Sequence, residues 1–123
     1  MTSNRKLLVF AGLNGAMAVA LGAFAAHGAA PAVKTLLTTG GQYQMVHAAL
    51  AVALALWNGG GRLARLAGWL AAAGGLIFCL ALAMIGLLSL PVMGAVAPIG
   101  GVMMIAAWCL VVVASLKAAP NNA

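Results

Sequence analysis

Four apolar runs, separated by short stretches rich in Gly, Pro and charge, dominate the chain. The first extends from Leu7 to about Ala26 and carries Asn14 as its one strongly polar side chain. The second, from about Gln42 to Trp57, is the shortest. The third extends from about Leu66 to Leu90 and the fourth from about Ala97 to Leu116. A helix crosses the hydrocarbon of a bilayer with about 20 apolar residues. Gly28 and Pro31 break the pattern after the first run, Gly59-Gly60-Gly61 with Arg62 and Arg65 after the second, and Pro91, Gly94 and Pro98 after the third. The pattern predicts an all-α chain: one domain over residues 1–123, folded as an integral membrane four-helix bundle. The tail from Ala118, with Pro120, Asn121 and Asn122, is expected to be irregular.

Composition sharpens this expectation. Hydrophobic residues make up 66% and charged residues 5% of the chain, too few polar side chains to clothe a domain in water. Six residues are basic and none is acidic. The basic residues flank apolar runs and form no patch interleaved with aromatics, so nucleic acid is not the expected partner. The expected partner is the lipid bilayer, with its anionic headgroups; other membrane proteins or a second copy of the chain are further candidates. Without carboxylates the chain has no carboxylate base, acidic proton relay or hard-cation ligand. An enzyme is therefore not expected, and no cofactor is.

Orientation follows from charge. Arg5 and Lys6 precede the first run, Arg62 and Arg65 join the second to the third, and Lys117 follows the fourth. Four spans put these five on one side and Lys34 alone on the other. The positive-inside rule then places both termini in the cytoplasm and the protein in the cell inner membrane, as a multi-pass protein. Trp57 and Trp69 are expected near the inner interface and Tyr43 near the outer one. A cleaved signal peptide is the rival for the first run, but about 20 apolar residues exceed the ~7–15 of a usual signal core.

Packing in lipid relies on close backbone approach. Small residues recur every four positions in Ala11-Gly15, Ala18-Gly22-Ala26, Ala49-Ala53, Ala64-Gly68-Ala72 and Ala71-Gly75. That interval gathers them on one helix face.

Few side chains can carry chemistry. His27 closes the first run, while Gln42, Tyr43, Gln44 and His47 open the second. With a helix starting at Gln42, His47 lies about 8 Å below the outer boundary, and the two histidines can meet. His27, Tyr43, Gln44 and His47 then form a polar cluster open to three readings. It can be a hydrogen-bonded cap tying two helices, a site for a lipid headgroup, quinone or other small molecule, or a haem or metal site. Asn14, at the midplane, is expected to bond across to another helix or to a carbonyl. Cys79 and Cys109 lie within apolar runs and are expected to be buried small hydrophobes near the same depth. Pro98, Gly100 and Gly101 open the fourth helix, where free amides could receive an anionic headgroup and the glycines could serve packing.

Three of these clusters carry a resemblance. Gly22-Ala23-Phe24-Ala25-Ala26-His27-Gly28 resembles the GAFGAHG segment of the YgdD-like family of small four-helix inner-membrane proteins, domain of unknown function 423. Tyr43-Gln44 with His47-Ala48 resembles its YQxxHA element. Pro98-Ile99-Gly100-Gly101 resembles its PIGG element, with Trp108 where a Trp is expected. Ala25 departs from a usual Gly, and Phe78-Cys79-Leu80-Ala81-Leu82-Ala83 from a stretch that carries small polar residues. The resemblance implies a four-helix membrane protein and no established activity. The sequence thus points to a non-enzymatic accessory or interaction protein, with small-molecule or lipid binding at the polar cluster as the alternative.

Overall fold

The computed structural model describes residues 2–118. The described residues form four long helices: α1 over Ser3–His27, α2 over Pro31–Leu56, α3 over Gly61–Leu88 and α4 over Ala97–Lys117. A single 3-10 turn, Pro91–Ala95, precedes α4. The tail beyond Ala118 lies outside the described residues.

Local chemistry explains the ends. Thr2 caps α1 by accepting from the Arg5 amide at 3.2 Å. Pro31 starts α2 where its missing N–H needs no partner. Gly61 opens α3 at φ +64, a left-handed turn that a side chain would strain. Ser89 closes α3 in the same region, at φ 54.

Order in space follows order in the chain: α2 and α3 are the central pair, α1 packs chiefly on α2, and α4 chiefly on α3. The core is built from Leu7, Leu37, Leu54 and many alanines. Large apolar side chains instead point outward, among them Leu13, Val19, Val102, Ile105 and Leu116. This inversion suits lipid as the solvent and small residues as the packing surface.

The helix α2 begins eleven residues before the expected start at Gln42. Thr38-Thr39-Gly40-Gly41 reads locally as a polar break, but neighbouring helices use the two glycines. A Cβ on Gly40 would come within 3.2 Å of Cys79 Cα in α3, and one on Gly41 within 3.4 Å of the Ala18 carbonyl oxygen in α1. Adjacent residues point about 100° apart around a helix, so a glycine pair admits a neighbour on each side. Gly74-Gly75 in α3 repeats the device. A Cβ on Gly74 would come within 2.8 Å of Met103 Cβ and 2.9 Å of the Gly100 carbonyl oxygen in α4, and one on Gly75 within 3.3 Å of Gln44 Cα in α2.

Among the described residues three helical stretches are long and apolar enough to cross a membrane: Asn4–His27, Gly61–Leu88 and Pro91–Lys117. The 26-residue α2 is long enough, but its middle holds Gln42, Tyr43, Gln44 and His47. Of these Gln44 and His47 are buried against protein.

Candidate functional site

Counting from the turn between α1 and α2 explains which polar side chains meet. Asn14 is thirteen residues before the end of α1, and Gln44 thirteen after the start of α2. Antiparallel helices bring both to one level, about 20 Å from the turn. There the Gln44 Nε2 donates to Asn14 Oδ1 at 2.9 Å, and Asn14 Nδ2 donates to the Phe10 carbonyl at 3.0 Å. Only this amide orientation lets Asn14 serve both partners. Gln44 Oε1 is buried and accepts no hydrogen bond among the described residues.

The expected bridge from Asn14 to another helix is therefore made by Gln44. In a double-mutant cycle of Asn14→Leu and Gln44→Leu, each single change strands a buried amide, and the double change removes both. Thermal unfolding in detergent is expected to give a coupling of about 0.6 to 1.7 kcal/mol, the range for such bonds between membrane helices. Strict additivity would show that the pair contributes nothing.

His47 lies about 24 Å along α2 from Pro31, one turn beyond Tyr43. Its Nδ1 is 2.7 Å from the Tyr43 carbonyl oxygen, which can only accept. Its Nε2 is 3.0 Å from Trp108 Nε1 of α4, which can only donate. The ring is therefore the Nδ1–H tautomer, with both nitrogens engaged. Nε2 has no lone pair left for a metal or haem iron while Trp108 is in place. Among the described residues no group of three His, Cys, Asp or Glu could hold a metal.

Aromatic rings surround this pair. Tyr43 lies parallel to His47 (centroids 6.4 Å apart, 10° between planes) and edge-on to Phe78 (5.1 Å, 61°). Trp108 meets His47 edge-on at 6.0 Å. Tyr43, His47, Phe78, Gly101, Met104 and Trp108 line a niche of about 390 Å³ between α2, α3 and α4.

The polar cluster expected from sequence is only partly assembled. Tyr43 and His47 share a face, as their spacing implies. Gln44 turns instead toward α1, and His27 is exposed at the end of α1. The early start of α2 separates the histidines by carrying His47 deep into the bundle. Tyr43 is likewise about 18 Å along α2 rather than at its end. Cys79 is buried but Cys109 is exposed on α4, because α4 packs chiefly on α3 and leaves its far face open.

Pro98, Gly100 and Gly101 lie in the first turns of α4, which starts at Ala97. The 3-10 turn carries the chain back along α3 before α4 starts. Gly100 therefore sits against Gly74 and Phe78, at the middle of α3. The Val96 and Ile99 amides donate to the Met93 and Val96 carbonyls at 3.0 Å each, so these two are not free for a headgroup. Trp108 is the residue that sequence reasoning left without a role. Its signal was an indole inside an apolar run, which in lipid needs an acceptor.

Buried small residues, outward-facing large apolar ones and polar bonds between helices define a helical membrane protein. The sequence profile of the family described as a protein of unknown function (DUF423) matches residues 21–101, and this chain belongs to that family. It is 34% identical over 118 residues to the UPF0382 membrane protein YwdK of Bacillus subtilis (strain 168), covering 89% of this chain and 95% of that one. A UPF0382 membrane protein of Staphylococcus epidermidis (strain ATCC 12228 / FDA PCI 1200) is 33% identical over 115 residues, covering 89% and 94%. The UPF0382 membrane protein SAB0533 of Staphylococcus aureus (strain bovine RF122 / ET3-1) is 33% identical over 118 residues, covering 91% and 97%. None of these names is that of an enzyme. No solved structure matches the chain.

Proposed function

We propose that this protein is a non-enzymatic accessory protein of the cytoplasmic membrane. It spans the bilayer four times with both termini in the cytoplasm, and its outer helix faces receive other membrane proteins. One observation carries the reading: the buried polar side chains join helix to helix. Asn14 with Gln44 ties α1 to α2, and His47 with Trp108 ties α2 to α4. Neither pair leaves a nucleophile beside a free base. The orientation is supported by five basic residues at one end of the bundle and Lys34 at the other.

Reporter fusions should place both termini in the cytoplasm, and photo-crosslinkers at the exposed Val102 and Val112 of α4 should give discrete adducts with membrane proteins in cells. A periplasmic terminus would refute the topology, and crosslinking to lipid alone would refute the accessory role.

The aromatic niche favours a second reading, binding of a flat, largely apolar molecule such as a quinone. Tyr43 is half exposed there and its hydroxyl donates to no protein group among the described residues. Native mass spectrometry of gently extracted protein separates the readings. A bound non-lipid molecule lost on Tyr43→Leu would favour the niche.

A further inference from the structure

Beyond the aromatic niche, α1 and α2 enclose a second recess. Lys34, Thr38 and Gln42 follow one another at four-residue intervals, so they form a polar ladder on one face of α2. Ala18, Gly22 and Ala26 make the facing ladder on α1, also at four-residue intervals. Together they line an open groove of about 450 Å³. Its floor is closed where Gly41 lies against the Ala18 carbonyl. Beside it the wall is bare, since a Cβ on Gly22 would meet nothing within 4 Å.

Three features fix the chemistry of an occupant. Lys34 is the one cation at its end of the bundle, and the chain has no Asp or Glu to neutralise it. The compensating anion must come from outside. The start of α2 beside Lys34 has no side-chain cap, so the helix end adds positive partial charge there. The groove then runs inward from Lys34 to Gln42 over about 12 Å, with the methyl groups and bare backbone of α1 facing the polar ladder of α2, so the occupant is anionic at one end and lays an apolar chain along α1. Thr38 and Gln42 donate to no protein group among the described residues, which leaves them for ester or phosphate oxygens.

We propose that this groove holds one anionic phospholipid. Its phosphate meets Lys34 and Thr38, and one acyl chain lies over Gly22 toward Ala18.

The test is native mass spectrometry of the full chain in detergent with added phosphatidylglycerol, with phosphatidylcholine of the same acyl chains, and with inorganic phosphate. Phosphatidylglycerol should be retained about fivefold better than phosphatidylcholine, the increment expected for one cation near the surface. Lys34→Gln should abolish that preference. Gly22→Leu and Ala26→Leu, both at exposed positions, should reduce retention of both lipids by filling the groove. Arg62→Gln with Arg65→Gln should change nothing. Melting curves of the variants show that each is folded. Equal retention by Lys34→Gln, or by both groove-filling variants, overturns the proposal. So does an equal loss in the Arg62/Arg65 variant, which would mean diffuse attraction, or displacement by inorganic phosphate, which would mean a free-anion site.

Discussion

Gly100→Ala is expected to destabilise the fold by about 3 kcal/mol, the upper end of the usual overpacking cost. A methyl there would lie 2.6 Å from the Gly74 carbonyl oxygen, 2.6 Å from the Phe78 amide nitrogen and 3.0 Å from Phe78 Cα. All three are backbone atoms of α3, so no rotamer change relieves the clash and the helices must part. In lipid that loss is not offset by hydrophobic contact elsewhere, because close packing is itself the main attraction between helices. The neighbouring Gly101→Ala is the control. A Cβ on Gly101 meets nothing within 4 Å, and alanine is the better helix former by about 1 kcal/mol. Chemical or thermal unfolding in detergent should therefore move the two variants in opposite directions. Equal effects would show that α3 and α4 do not approach each other as described.

His47→Ala should be the next most damaging change, at about 2 kcal/mol. It removes a buried ring, leaves the Trp108 indole N–H without its acceptor, and opens space beside Tyr43; a stranded donor alone costs about 1 to 3 kcal/mol. Trp108→Phe should cost less, since it leaves only the Nε2 lone pair unmet beside an open niche. A cycle with His47→Phe should give a coupling of about 1 kcal/mol. Nitrogen NMR of labelled histidine gives an independent check, because the geometry requires Nδ1 protonated and Nε2 accepting. The opposite tautomer would mean that Trp108 does not donate to His47, and the pin between α2 and α4 would be lost with it.

Glycine pairs show how local pattern and tertiary role diverge. Gly40-Gly41 resembles a loop when read along the chain, yet it lies inside α2 with a helix on either side. Gly74-Gly75 serves α4 and α2 in the same way. Gly100-Gly101 is half used: Gly100 meets α3, while Gly101 borders the niche with no neighbour. The difference lies in position, since α3 has a helix packed along each side and α4 packs chiefly on α3.

The candidate site divides along the same line. The Tyr43–His47 contact was legible because four residues make one turn of any helix. The Asn14–Gln44 bond needed the true start of α2, which Thr38-Thr39-Gly40-Gly41 conceals. The His47–Trp108 bond joins residues 61 apart, and no local spacing points to it.

From its residues alone, this chain was bound to be helical, apolar on the outside and tightly packed by small side chains. Those properties follow from composition and from four-residue periodicity, which every helix expresses locally. Which helices touch, and which polar atoms therefore pair, depended on the level at which each helix starts. A shift of eleven residues in α2 moves His47 by about 16 Å at the rise of an α-helix. That level is set by backbone contacts at Gly40, Gly41, Gly75 and Gly100, between segments distant in the chain, and only the assembled bundle decides them.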